Sequence, residues 1–140
     1  MSLGEVFAGT TTGVFHLDAD VDLTQDRARD GGWHVVVLDT SDVDDKDAFM
    51  AVVSDAFGLP ESFAGTWEAL DGHLRVLDLD DPDGLLVLWY RWGEFADADP
   101  DSFELAVEVF QDATVAWRDD EFDGAVFLVG EGPETDLARV

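Results

Sequence analysis

The sequence predicts an α/β domain: a parallel sheet of three strands, or four if an amino-terminal run joins it, covered by helices. Three observations lead there. Short apolar runs alternate with longer amphipathic stretches, the order of parallel strands joined by helical crossovers. Most of these runs are rich in Val, Leu and aromatic residues and do not alternate with polar ones, as in strands covered on both faces. And 140 residues is the length of one domain, long enough to bury a real hydrophobic core without the disulfides that the absence of cysteine rules out.

The elements follow in order. The candidate strands are Val14 to Leu17, Trp33 to Leu38, Leu85 to Tyr90 and Ala125 to Val129. Asp20 to Asp30 is a weaker helix candidate between the first two. Asp45 to Phe57 places Phe49, Val52, Val53, Ala56 and Phe57 on one stripe, and Gly58 and Pro60 end it. A short helix from Thr66 to Leu74 carries Trp67, Leu70 and Leu74 on its apolar side, with Glu68 and Asp71 three residues apart on a shared face. Asp99-Pro100 is an N-cap followed by proline at the first helical position. The helix it opens runs to about Trp117, with Phe103, Ala106, Val107, Phe110 and Trp117 inward and Glu104, Glu108, Gln111 and Asp112 outward. No repeat or linker divides the chain. The expected organisation is an extension over 1–32, a domain over 33–130 and a flexible tail over 131–140.

Charge narrows the function. Thirty-three acids against seven Lys and Arg give a net charge of −26. A field of that sign repels nucleic acid and anionic membranes and speeds encounter with basic proteins. Adaptation to high salt gives the same profile, with one lysine, Lys46, among many Asp. No window approaches the ~18 apolar residues of a membrane span. Residues 1–12 contain no basic region followed by an apolar run, so neither a signal peptide nor export from the cytoplasm is expected.

Catalytic and metal-binding motifs fail one by one. An EF-hand loop with Gly84 at its sixth position would need acids where Leu79 and Tyr90 stand. His16, His34 and His73 are scattered and match no zinc pattern. No serine sits in a nucleophile elbow, and Gly130-Glu131-Gly132 lacks the third glycine and following helix of a dinucleotide fingerprint. No enzyme, cofactor or metal is expected, and the remaining candidate for function is a surface.

One segment is informative: Leu59-Pro60-Glu61-Ser62-Phe63-Ala64-Gly65-Thr66-Trp67-Glu68-Ala69-Leu70-Asp71-Gly72-His73-Leu74. It resembles the barstar family, small acidic inhibitors of barnase-type ribonucleases, in which a loop with aromatics after Leu-Pro leads into a short acidic helix. The resemblance spans about Trp33 to Gly130. Val35 to Asp39 looks like the family's first strand, Leu85 to Arg91 like the next, Val109-Phe110-Gln111-Asp112-Ala113 like part of its last helix, and Ala125 to Val129 like its last strand.

The resemblance implies a monomeric cytoplasmic protein, antitoxin-like in kind. Its carboxylates would occupy the active site of a basic ribonuclease in place of RNA phosphates. It also implies the partner-binding residues: Phe63, Thr66, Glu68, Asp71, Gly72 and Asp112. Phe63 stands at an aromatic loop position, Thr66 replaces the usual Asn, and Glu68 replaces the first Asp. Gly72 occupies the position of the main binding Asp. Asp71 lies one residue earlier, about 100° round the helix, and could replace that Asp if Gly72 unwound the helix. Asp112 matches an acidic contact residue on the later helix. The alternative is a barstar-like module that binds a basic protein other than a ribonuclease.

Overall fold

The computed structural model describes residues 13–17, 20–60, 65–76, 84–119, 122–130, 132, 133, 135 and 137. Four strands, β1 (Gly13–Leu17), β2 (Trp33–Asp39), β3 (Gly84–Tyr90) and β4 (Asp123–Val129), form one parallel sheet in the order β1-β4-β3-β2. Five helices accompany them: α1 (Val21–Asp30), α2 (Lys46–Phe57), α3 (Trp67–Arg75), α4 (Trp92–Ala98) and α5 (Pro100–Asp119). The sheet therefore has four strands, not the minimum of three, because β1 pairs along the outer side of β4. The described part of the amino-terminal extension is built into the sheet as β1 and onto its face as α1.

Register explains how one sheet serves two cores. Val36, Val87, Val126 and Val14 line up across all four strands, and all four are buried on one face. The next row, Val37, Leu88, Phe127 and Phe15, points to the other face, since successive side chains alternate. The first face carries the larger core. Leu38, Leu85, Trp89 and Leu128 meet Phe49 and Val53 of α2, Leu70 and Leu74 of α3, Phe95 of α4 and Phe103, Ala106 and Phe110 of α5. The second face carries a smaller core, in which Phe15, Leu86, Leu88 and Phe127 pack with Ala28 of α1. The unbroken apolar pattern of β3 and β4 reflects this double cover, whereas β2, an edge strand, leaves Val37 49% exposed.

Caps set the helix limits. Asp20 and Asp45 accept hydrogen bonds from the amides of Asp22 (2.9 Å) and Ala48 (2.8 Å), meeting donors that have no partner inside α1 and α2. Gly58 closes α2 in the left-handed region at φ 63°. Asp99 accepts from Ser102 N–H (3.2 Å) at the start of α5, with Pro100 at the first helical position. The stripe of α5 that faces the sheet includes Val109 and Ala113, while Val107 is only partly buried, so the inward face is turned slightly from the expected one, toward Val109.

The helix α4 is absent from the sequence-based order. Its seven residues make less than two turns, too few for a period to register, and it begins directly after Arg91, which holds a left-handed φ of 54°. Buried polar groups are matched nearby: Trp89 Nε1–H donates to Thr40 Oγ (2.9 Å), and Thr40 donates to the Arg91 carbonyl (3.3 Å). Two glycines allow aromatic rings to lie flat on the sheet. A Cβ on Gly84 would stand 2.4 Å from the Trp33 ring, and one on Gly124 2.4 Å from the Trp117 ring. Beyond β4, Thr135 hydrogen-bonds His16 of β1, and Leu137 packs against the larger core.

Candidate protein-docking site

The candidate site is built on α3, and both ends of that helix are fixed. At its start, Thr66 caps it by accepting from Ala69 N–H (3.1 Å), and the Trp67 ring packs on Phe49 of α2 with centroids 5.7 Å apart. Leu70 and Leu74 are fully buried. At its end, the Leu74 carbonyl accepts a buried 2.7 Å hydrogen bond from the Trp117 indole of α5. Carbonyls in the last turn of a helix have no partner within it, so this bond both satisfies the group and ties α3 to α5.

That packing decides which side chains reach solvent. Taking about 100° per residue, Trp67, Leu70 and Leu74 occupy the inner side of α3, while Glu68, Gly72 and Arg75 share the outer side. Thr66, Glu68, Gly72 and Arg75 are exposed accordingly, and so is Asp112 on α5. Asp71 lies on the flank between the two sides. Its Oδ2 accepts a 2.9 Å hydrogen bond from Arg75 Nε, and its Oδ1 is shut off from solvent with no hydrogen-bond partner among the described residues. The Arg75 guanidinium is held above its ordinary pKa by the bond to Asp71, then by the charge of Asp71, with a smaller contribution from Asp112. Asp112 thus lies within electrostatic reach of α3, as expected if α3 and α5 pack side by side.

Of the six residues implied by resemblance, Glu68, Asp71 and Gly72 stand on one short helix, Thr66 caps it and Asp112 stands on its neighbour; Phe63 lies outside the described residues. The helix does not unwind at Gly72. It runs unbroken from Trp67 to Arg75, so Asp71 keeps its flank position and does not rotate into that of Gly72. A Cβ at Gly72 would meet nothing within 4 Å. Arg75 was not anticipated at the site, although its spacing of four from Asp71 is that of a helical ion pair.

The family model described as Barstar (barnase inhibitor) matches residues 33–129. The chain belongs to the barstar family. The match begins at the first residue of β2 and ends at the last of β4, so it covers three strands and helices α2 to α5. In this barstar-family chain β1 and α1 precede the matched region. No curated protein matches it.

The second face of the sheet, on which α1 packs, is opposite the one that carries α3 and α5. The described part of the amino-terminal extension therefore leaves the outer side of α3 uncovered. A cavity of about 540 Å³ lies where Phe103, Val107 and Gln111 of α5 face Pro133 and Leu137; His73 does not line it. Among the described residues no three His, Cys, Asp or Glu side chains converge to hold a metal ion, and no helix is long and apolar enough to cross a membrane.

Proposed function

We propose that this barstar-family protein binds and blocks a basic ribonuclease, presenting carboxylates where the enzyme would hold RNA phosphates. The observation that carries this reading is the exposure of Glu68 and Asp112 on two helices joined by the Trp117–Leu74 bond, inside the region that matches the barnase-inhibitor family. Carboxylates held on a rigid frame lose little freedom on docking, and charge-assisted bonds to Arg or Lys in a desolvated groove are about twice as strong as neutral ones. The net charge of −26 adds attraction at a distance. The side chains do no chemistry: they fill charge sites and exclude the substrate, and no cofactor takes part. Residues 33–130 form the docking domain, β1 extends its sheet and α1 packs on the face away from α3, and the protein acts as a monomer in the cytoplasm.

The test is titration of a secreted barnase-type ribonuclease with the wild-type chain and with a Glu68→Gln/Asp112→Asn double variant. The wild type binds and inhibits, and added salt weakens it. The double variant loses about 10-fold or more in affinity per carboxylate removed, at 1.5–3 kcal/mol for a bond to a charged group. An undiminished affinity removes the site assignment.

Gly72 favours a second reading, a barstar-like module with a basic partner other than a ribonuclease. The position where the family resemblance places its main Asp carries no side chain here, and the space beside it is open. Capture of a basic protein without nuclease activity, released by the same double substitution, supports that reading instead.

A further inference from the structure

The outer side of α3 is not uniformly acidic. Glu68 and Arg75 are two turns apart, about 10 Å along the axis at 1.5 Å per residue, and Gly72 between them leaves bare backbone. The result is a notch with an anion at one end and a cation at the other. Arg75 is one of only seven basic residues in a chain with thirty-three acids.

Asp71 governs this cation. One of its oxygens grips Arg75 Nε at 2.9 Å, and the other is closed to solvent, so the oxygen that Asp71 shows to a partner is the one already engaged with Arg75. Its role at the surface is to orient the guanidinium. Nε accounts for one of the five donors of that group; the planar end carries four more, in the fork that matches a carboxylate. The Arg75 side chain is 44% exposed, so this end is open to a partner.

We infer that Arg75 is a specificity-determining residue of the docking face, and that it selects a basic partner with a carboxylate set opposite it; this rests on the docking function proposed above. A partner offering only cations leaves Arg75 facing like charge in a surface being stripped of water, which is costly. A partner with a cation opposite Glu68 and a carboxylate opposite Arg75 fits both ends of the notch. Asp71 serves as the positioning residue for Arg75.

The sign of one substitution separates this from simple attraction. Arg75→Glu makes the chain two units more negative, so attraction to a basic partner alone predicts tighter binding. A paired Arg75 predicts the reverse. The probe is the same barnase-type ribonuclease, titrated by calorimetry with the wild type, Arg75→Gln and Arg75→Glu, each checked by circular dichroism for an unchanged fold. The expected result is a loss of about 10-fold or more for Arg75→Glu, from a lost charge-assisted bond, with a smaller loss for Arg75→Gln. Replacing the facing carboxylate of the ribonuclease by its amide abolishes the difference between wild type and Arg75→Gln. Unchanged or tighter binding of Arg75→Glu overturns the inference and leaves the inhibitor reading standing. Failure of the wild type to bind overturns both.

Discussion

The Trp117 indole of α5 donates a buried 2.7 Å hydrogen bond to the Leu74 carbonyl in the last turn of α3. This bond, with the shared core of Leu70, Leu74, Phe110 and Ala113, fixes where Glu68, Asp71 and Arg75 stand relative to Asp112. Trp117→Phe keeps an aromatic ring against Gly124 but leaves the carbonyl buried without a donor. The expected cost is about 1–3 kcal/mol, read as a lower urea midpoint. Ribonuclease affinity is expected to fall with it at temperatures where the variant remains folded.

Gly72 is a helix-interior glycine with open space around its missing side chain. Gly72→Ala is expected to stabilise the protein by about 0.5–1 kcal/mol, since glycine loses more backbone freedom on folding than any other residue. Gly72→Asp tests the family resemblance directly, because the new carboxylate would stand on the outer side of α3 beside Glu68. Tighter binding to a barnase-type ribonuclease than the wild type shows is the expected outcome in a titration of both chains.

Phe15 of β1 meets Phe127 of β4 edge to face at 6.3 Å in the smaller core. Phe15→Ala is expected to destabilise by about 3–5 kcal/mol, as large-to-small changes of buried phenylalanine do. Affinity for the partner, measured on the folded fraction, stays unchanged, because α3 and α5 lie on the other face of the sheet.

Tyr90, at the end of β3, has its phenol pushed above the usual tyrosine value, first by burial and then by the charge of Asp22. A raised folded pKa means that the unfolded chain gives up the proton first. The stabilisation from Tyr90 is therefore complete below pH of about 10 and is lost as pH rises through the folded value. Urea midpoints measured from pH 8 upward should decline at the alkaline end, and the decline should be smaller in Tyr90→Phe.

Most of the framework was legible because it depends on patterns with a fixed period. The stripe of α2 and the unbroken apolar runs of β3 and β4 leave such marks, and Asp99-Pro100 marks the start of α5 by residue type alone. What escaped is short or depends on meetings between distant segments. The seven residues of α4 have no measurable period, and Arg91 enters its left-handed turn for reasons of chain geometry that no residue type announces. At the site, the acidic residues were readable by resemblance, and three of the six named stand on α3, with Thr66 as its cap. The employment of Asp71 by Arg75 was not, although the spacing of four permitted it. An i, i+4 pair in sequence shows only that two side chains can meet; that Asp71 Oδ1 is also closed to water is a property of the folded chain that spacing does not encode.

The two cores on opposite faces of one sheet also have a consequence for how this molecule can change. Substitutions among Phe15, Ala28 and Phe127 alter how firmly the chain holds its shape, while those at Glu68, Gly72 and Asp112 alter what it can grasp. Effects at separated sites with no shared neighbours add nearly independently. A lineage could therefore retune its target preference through a handful of surface positions while the rear layer drifts, or thicken that rear layer to tolerate a costly new grip.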